Sequence, residues 1–135
     1  MSEKRAINPS DLAAPKGFAH GWLVESGDAR TLYLAGQCAH DRDGALCHQG
    51  DLVGQLRLAL RNIESVLRDA EMVFGDLVQL NLYVRSRDDY TAARRGFGAV
   101  WREIGGKHYP AMAMFEVSSL FDPDALIEIQ GIAAS

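Results

Sequence analysis

Several things are scarce or missing in these 135 residues, and each absence narrows the possibilities. Cysteine is scarce. Cys38 and Cys47 are too few for a disulfide framework, so a reducing compartment, the cytoplasm, is expected. No apolar run approaches the length that crosses a bilayer, and Met1 to Asp11 is polar and charged, without the apolar segment of a secretory signal. No membrane partner is expected. Positive charge is not in excess: 14 Lys and Arg stand against 18 Asp and Glu, a net charge of −4 at pH 7. A polyanion binder would show a basic footprint, so nucleic acid is not expected as a partner. The arginines between Arg85 and Arg102 are interrupted by Asp88, Asp89 and Tyr90 and read as a helix surface. No phosphate-binding loop, Gly-rich dinucleotide turn or nucleophile elbow is present, and no cofactor is expected. Internal repeats, low-complexity tracts and linkers are also missing, which leaves one domain.

What is present is a chain of ordinary hydrophobicity, 47%, long enough for a core of modest stability that self-association would help. Residues 1–16 read as a loosely ordered arm broken by Pro9 and Pro15, and residues 17–135 as the domain. Trp22 to Glu25 and Leu32 to Gly36 flank the turn cluster Ser26-Gly27-Asp28 and predict a hairpin. Gln37 to Gln49 is a polar loop. From Leu52 to Ala70 the residues Leu52, Leu56, Leu60, Ile63, Leu67 and Ala70 recur at helical spacing, with Asp51 as N-cap. Leu77 to Arg85 is a strand, with Val78, Leu80, Leu82 and Val84 on one face and Gln79, Asn81 and Tyr83 on the other. A second helix is predicted from Asp88 to Ile104, opened by Ser86 and stopped by Gly105-Gly106. Ala111 to Val117 and Ala125 to Ile132 are the last strands. The order β-β-α-β-α-β-β is that of an α+β sandwich, two helices on one face of a mixed sheet.

The helix-free face of that sheet is expected to hold Gln79, Asn81 and Tyr83, with Met112, Met114 and Glu116, and Glu128 and Gln130. Two methionines beside a tyrosine suggest a face that another subunit covers; a solvated sheet face is the alternative.

Four segments, in order and spanning residues 17 to 133, resemble the RidA/YjgF (reactive intermediate deaminase, Rid) family. They are Leu32-Tyr33-Leu34-Ala35-Gly36-Gln37, the Ala59-Leu60-Arg61-Asn62-Ile63 core of the first helix, Tyr109-Pro110-Ala111, and Ala125-Leu126-Ile127-Glu128-Ile129. The resemblance implies a chorismate-mutase-like fold and a homotrimer whose helix-free faces meet. It further implies small-molecule clefts between subunits, where reactive enamines and imines such as 2-aminoacrylate are hydrolysed without a cofactor. Some relatives are described as endoribonucleases.

Glu128 matches the family's glutamate that orients or activates water, and a carboxylate on an isoleucine-rich strand is costly unless it is used or paired. A trimer-interface hydrogen bond is its alternative. Met112 departs from the resemblance: the deaminases have an arginine there that clamps the substrate carboxylate, and its loss should weaken binding of a 2-imino acid. Met114 departs too, at a position where cysteine is common, so the two methionines predict an apolar, deformable pocket floor or simple interface packing. His20 falls near a ligand-facing tyrosine of the family and offers a titratable group, or else a capping residue. Gly36 matches a glycine whose backbone approaches the ligand. Arg94 or Arg95 is a replacement cation or a solvated helix residue, and Phe97 a cleft wall. Cys38, His40, Cys47 and His48 are all zinc-capable, but their spacing matches no common structural site, so a polar loop is expected and no metal is assigned.

Three functions follow. The first is a trimeric enzyme using Glu128 on an imine, enamine or related metabolite. The second is a non-catalytic metabolite-binding or chaperone-like trimer. The third is an endoribonuclease-type protein, which the acidic charge disfavours.

Overall fold

Alternating and helical segments assemble into a single mixed sheet with its helices on one side. In this computed structural model, residues 2–135 are described. The strands are β1 (Glu3–Ile7), β2 (Gly21–Ser26), β3 (Ala29–Gln37), β4 (Leu77–Val84), β5 (Ala111–Glu116) and β6 (Ile127–Ala134). The helices are α1 (Leu52–Asp69), α2 (Arg87–Ala92) and α3 (Arg94–Gly105). The sheet order is β1-β2-β3-β6-β4-β5. Only β4 and β5 run parallel; the other neighbours are antiparallel. This is the expected α+β architecture.

The first helix forms as its periodicity dictates. Asp51 accepts a hydrogen bond from the Gly54 amide at 3.0 Å, which satisfies one of the donors a helix start leaves open. Leu56, Leu60, Ile63 and Leu67 bury their stripe against Leu32, Leu80, Ile127 and Ile129 of the sheet. Each such side chain contributes about 1.5–3 kcal/mol by leaving water. Gln55 and Asn62 are buried on the same helix but polar, and they serve the loops described below.

Four expectations need correction. The arm is not loose throughout, because Glu3–Ile7 adds an edge strand antiparallel to β2, with Ile7 buried. Its sequence, Glu-Lys-Arg-Ala-Ile, hid the strand because an edge strand can leave nearly all its side chains in water. Pro9 and Pro15 do lie outside regular structure, and Met1 lies outside the described residues. The second helix is two helices. Ser86 caps the first through the Asp89 amide at 3.1 Å, and Gly106, at φ 61°, stops the second. Between them Ala93 makes a tightened turn, its amide shared by the carbonyls of Asp89 and Tyr90.

The other two corrections concern which face a residue takes. Val78 does not join Leu80, Leu82 and Val84. A register shift between Leu77 and Gln79 puts Leu77 into the core and leaves Val78 half exposed. Met112, Met114 and Glu116 do not lie with Gln79, Asn81 and Tyr83. They pair with Leu80, Leu82 and Val84, so they face the helices, while Ala111, Ala113 and Phe115 take the helix-free face. The segment Met112-Ala113-Met114-Phe115 is apolar in both phases, so alternation alone could not choose between them.

Candidate functional site

Glu128 comes from β6, near the middle of the sheet, on the helix-free face and opposite Tyr83. Its carboxylate has room because Gly36 on the neighbouring strand has no side chain. A Cβ at position 36 would stand 2.7 Å from Glu128 Cδ. The Cys38 thiol, two residues further along the chain, donates to Glu128 Oε1 across 3.6 Å. Burial, followed by the Glu128 charge and this hydrogen bond, pushes the Cys38 thiol far above its ordinary range. Cys38 is therefore a neutral S–H donor, not a thiolate nucleophile.

These residues open into a cavity of about 770 Å³ between the arm, the loop after β3 and the loop before β6. Both loops are anchored on α1. Asn62 Nδ2 donates to the carbonyls of Cys38 and His40 at 3.1 and 3.0 Å. Gln55 donates to the carbonyls of His48 and Asp124 and accepts from the Leu126 amide. A polar side chain on the buried face of a helix persists when it satisfies loop backbone that would otherwise lack partners.

Across the cavity, His40 Nε2 lies 3.0 Å from Asp122 Oδ2 and ties the two loops together. This hydrogen bond, followed by that from the Asp124 amide, holds the Asp122 carboxyl below the ordinary aspartate value of 3.8. Asp122 thus stays ionised beside the cavity at neutral pH. Lys16, Phe18 and Phe121 complete the rim.

The residues singled out in the sequence divide into separate places. Glu128, Gly36 and His20 line the large cavity. Both ring nitrogens of His20 are engaged by the protein. Its Nε2–H donates to the Ala13 carbonyl at 2.7 Å and its Nδ1 accepts from Gln37 Nε2 at 3.0 Å. A buried imidazole with both nitrogens engaged pins the arm to β3. Met112, Arg94 and Phe97 lie on the other side of the sheet, on a second cavity of about 190 Å³ between the helices and β4–β5. Met114 lines neither cavity; it packs against the core. Among the described residues no three His, Cys, Asp or Glu side chains are placed to share a metal ion. In the loop, Cys38 turns to Glu128, His40 to Asp122 and Cys47 to Asp41.

Sequence reading missed Cys38 as a partner of Glu128, and the His40–Asp122 pair. The first had a signal, since Cys38 is two residues from Gly36 and in the same phase. The second had none, because the two residues are 82 apart in the chain. No helix among the described residues is long and apolar enough to cross a membrane.

Residues 12–135 match the model of the family described as Endoribonuclease L-PSP. The chain is 30% identical over 130 residues to the RutC family protein UK114 of Drosophila melanogaster, covering 96% of this chain and 88% of that one. It is 29% identical over 117 residues to a 2-iminobutanoate/2-iminopropanoate deaminase of Salmonella typhimurium, covering 85% and 88%. Among solved structures, the yjgF gene product of E. coli superposes with a TM-score of 0.78 at 25% identity, over 96% of this chain and 97% of that one.

Proposed function

Because this chain belongs to the RidA/YjgF family, the family described as Endoribonuclease L-PSP, we propose that it hydrolyses an imine or enamine metabolite with Glu128 as the water-activating group. The observation that carries this reading is the placing of Glu128. One carboxylate oxygen is held by the Cys38 thiol, and the other takes no hydrogen bond among the described residues, in a cavity large enough for a small metabolite.

The chemistry balances on this one group. Water adds to the imine carbon as Glu128 takes its proton; the C–O bond forms and the C=N electron pair moves to nitrogen. Glu128 returns that proton to nitrogen. Glu128 then takes the hydroxyl proton and passes it to the nitrogen as the C–N bond breaks and the C=O bond forms, so that the amino group leaves as neutral ammonia. A single carboxylate serves as base and then as acid. The net reaction is imine plus water to carbonyl compound plus ammonia.

The protein would act as a homotrimer. Trp22, Tyr33 and Phe115 stand about half exposed on the helix-free face, a density of aromatic surface that favours a covering subunit. A neighbouring subunit seated on the helix-free face would lie beside Glu128. Met112 stands where the family's deaminases place the carboxylate-clamping arginine, so the usual 2-imino acids should be poor substrates unless another cation takes that role. RNA cleavage is not favoured: Glu128, Asp122 and Asp41 line the large cavity and would repel a phosphodiester.

The test is ammonia release from 2-aminoacrylate and related imines generated in the assay. Glu128→Gln is expected to lower turnover on the order of 100-fold or more. Met112→Arg is expected to raise activity on 2-imino acids. Equal turnover by the parent and Glu128→Gln would overturn the catalytic role. No turnover by the parent or by Met112→Arg would leave a metabolite-binding trimer.

A further inference from the structure

The large cavity keeps its hydrogen-bond donors for the protein and offers acceptors to whatever enters it. The Cys38 thiol donates to Glu128, Gln37 Nε2 to His20, His20 to the Ala13 carbonyl, and Asn62 Nδ2 to the carbonyls of Cys38 and His40. Among the described residues no arginine lines the cavity, and Lys16 is the one lysine against Asp41, Asp122 and Glu128. His40 adds a further acceptor. Its Nε2 faces a carboxylate oxygen of Asp122, which can only accept, so this nitrogen carries the hydrogen. In the neutral ring the lone pair then lies on Nδ1, which takes no hydrogen bond among the described residues. Both partners are held in place. Asp122 Oδ1 accepts from the Asp124 amide at 2.9 Å, and the backbone of His40 bridges to Leu46.

We propose that His40, backed by Asp122, recognises a hydrogen-bond donor, a hydroxyl or an ammonium, at the end of the bound molecule remote from Glu128. The class bound is small aliphatic imines and their carbonyl relatives that carry such a donor and no carboxylate. The size of the cavity calls for a second end. A cavity of about 150 Å³ accommodates benzene, and this one is about 770 Å³, more than a C=N group and a short alkyl chain fill. The spacing agrees. His40 stands two residues beyond Cys38, whose thiol meets Glu128, and the one Asn62 amide grips the carbonyls of both. Two residues of chain span at most about 7 Å, which an extended ligand chain of about five atoms bridges. A carboxylate at the far end would meet acceptors and the Asp122 charge, and like charges brought together in a site are costly. That the occupant is the substrate rests on the reading above; recognition at this pair does not.

Calorimetric titration of the intact protein with four primary amides of one chain length tests the proposal. Each amide offers Glu128 an N–H, and only the far ends differ. They are 5-hydroxypentanamide, 5-aminopentanamide (an ammonium at neutral pH), 5-fluoropentanamide, which has no donor there, and the anion 4-carbamoylbutanoate. The parent is expected to bind the hydroxy or the amino compound about fivefold or more tighter than the fluoro compound, as one hydrogen bond implies. It should bind the anion no tighter than the fluoro compound. The larger preference tells a neutral donor from a cationic one. His40→Phe should abolish the preference. His40→Gln, whose amide can hold Asp122 and still present an oxygen, should retain it. If the pair only ties the two loops together, His40→Phe will weaken all four compounds alike and leave their ratios unchanged, which would overturn the proposal. Equal binding of the hydroxy, amino and fluoro compounds by the parent would overturn it without any variant, as would tighter binding of the anion than of the fluoro compound. So would the absence of binding at millimolar probe, the result expected if a neighbouring copy fills the cavity. Donor-dependent binding without any turnover by the parent would defeat the hydrolase reading alone. Turnover with no donor preference would defeat this inference alone.

Discussion

A carboxylate in the middle of a sheet needs space, and at Glu128 the space comes from what Gly36 lacks. The neighbour of an added Cβ would be Glu128 Cδ, the far end of a flexible side chain, so the side chain can yield while the backbone stays. Gly36→Ala should therefore cost less than about 1 kcal/mol of stability. It should lower turnover on the order of tenfold or more by displacing the carboxylate. Thermal unfolding beside the ammonia-release assay separates the two effects; a melting temperature that falls in step with activity would make Gly36 a packing residue only. Glu128 and Gly36 could be singled out in the sequence because each is anomalous for its strand. His20 looked equally informative, but a histidine's availability depends on what its two nitrogens meet, and Ala13 and Gln37 occupy both.

Between elements, the hydrophobic repeat set most of the result, and the corrections fall where it was silent. The stripe of α1 is unambiguous, with its Asp51 cap. The register shift in β4 is not, since Leu77 and Val78 are both apolar and either could have entered the core. Gly131, paired with Leu80 beside that shift, lets the two strands approach closely there. A Cβ there would collide with the backbone carbonyl of Gln79, which has no rotamer to move. Gly131→Ala is thus expected to destabilise the fold by about 3 kcal/mol, the upper range for overpacking. A lowered urea midpoint at constant slope measures it. An unchanged midpoint would mean that the β4–β6 ladder can relax there. Gly36 and Gly131 make a useful contrast, because both lie against a neighbouring strand but one meets a side chain and the other backbone.

For the whole molecule, the sheet has one face sealed by helices and another where Tyr33 is about half exposed, as is Phe115 at the outer strand. Burying these aromatics between copies would add to the stability of a core of this size. Sedimentation is expected to give about three times the 14.8 kDa of the chain. Phe115→Glu should shift that mass towards the monomer by placing a charge in the contact. A monomeric parent at micromolar concentration would remove the inter-subunit cleft from the proposed mechanism.

The sequence by itself determined the family, the order of helices and strands, the helix-bearing side of the sheet and the glutamate of the closing strand. Each of these is written locally, in a period, a cap or a short run of residues. Only the tertiary structure decided that Met112 faces the helices with Arg94, that Cys38 holds Glu128, and that His40 ties to Asp122. Strand register sets the first, and contacts between distant segments set the others. A one-residue change of register reverses every side chain on a strand. The apolar pattern of β5 is compatible with either register, so the choice belongs to the packing of the whole sheet.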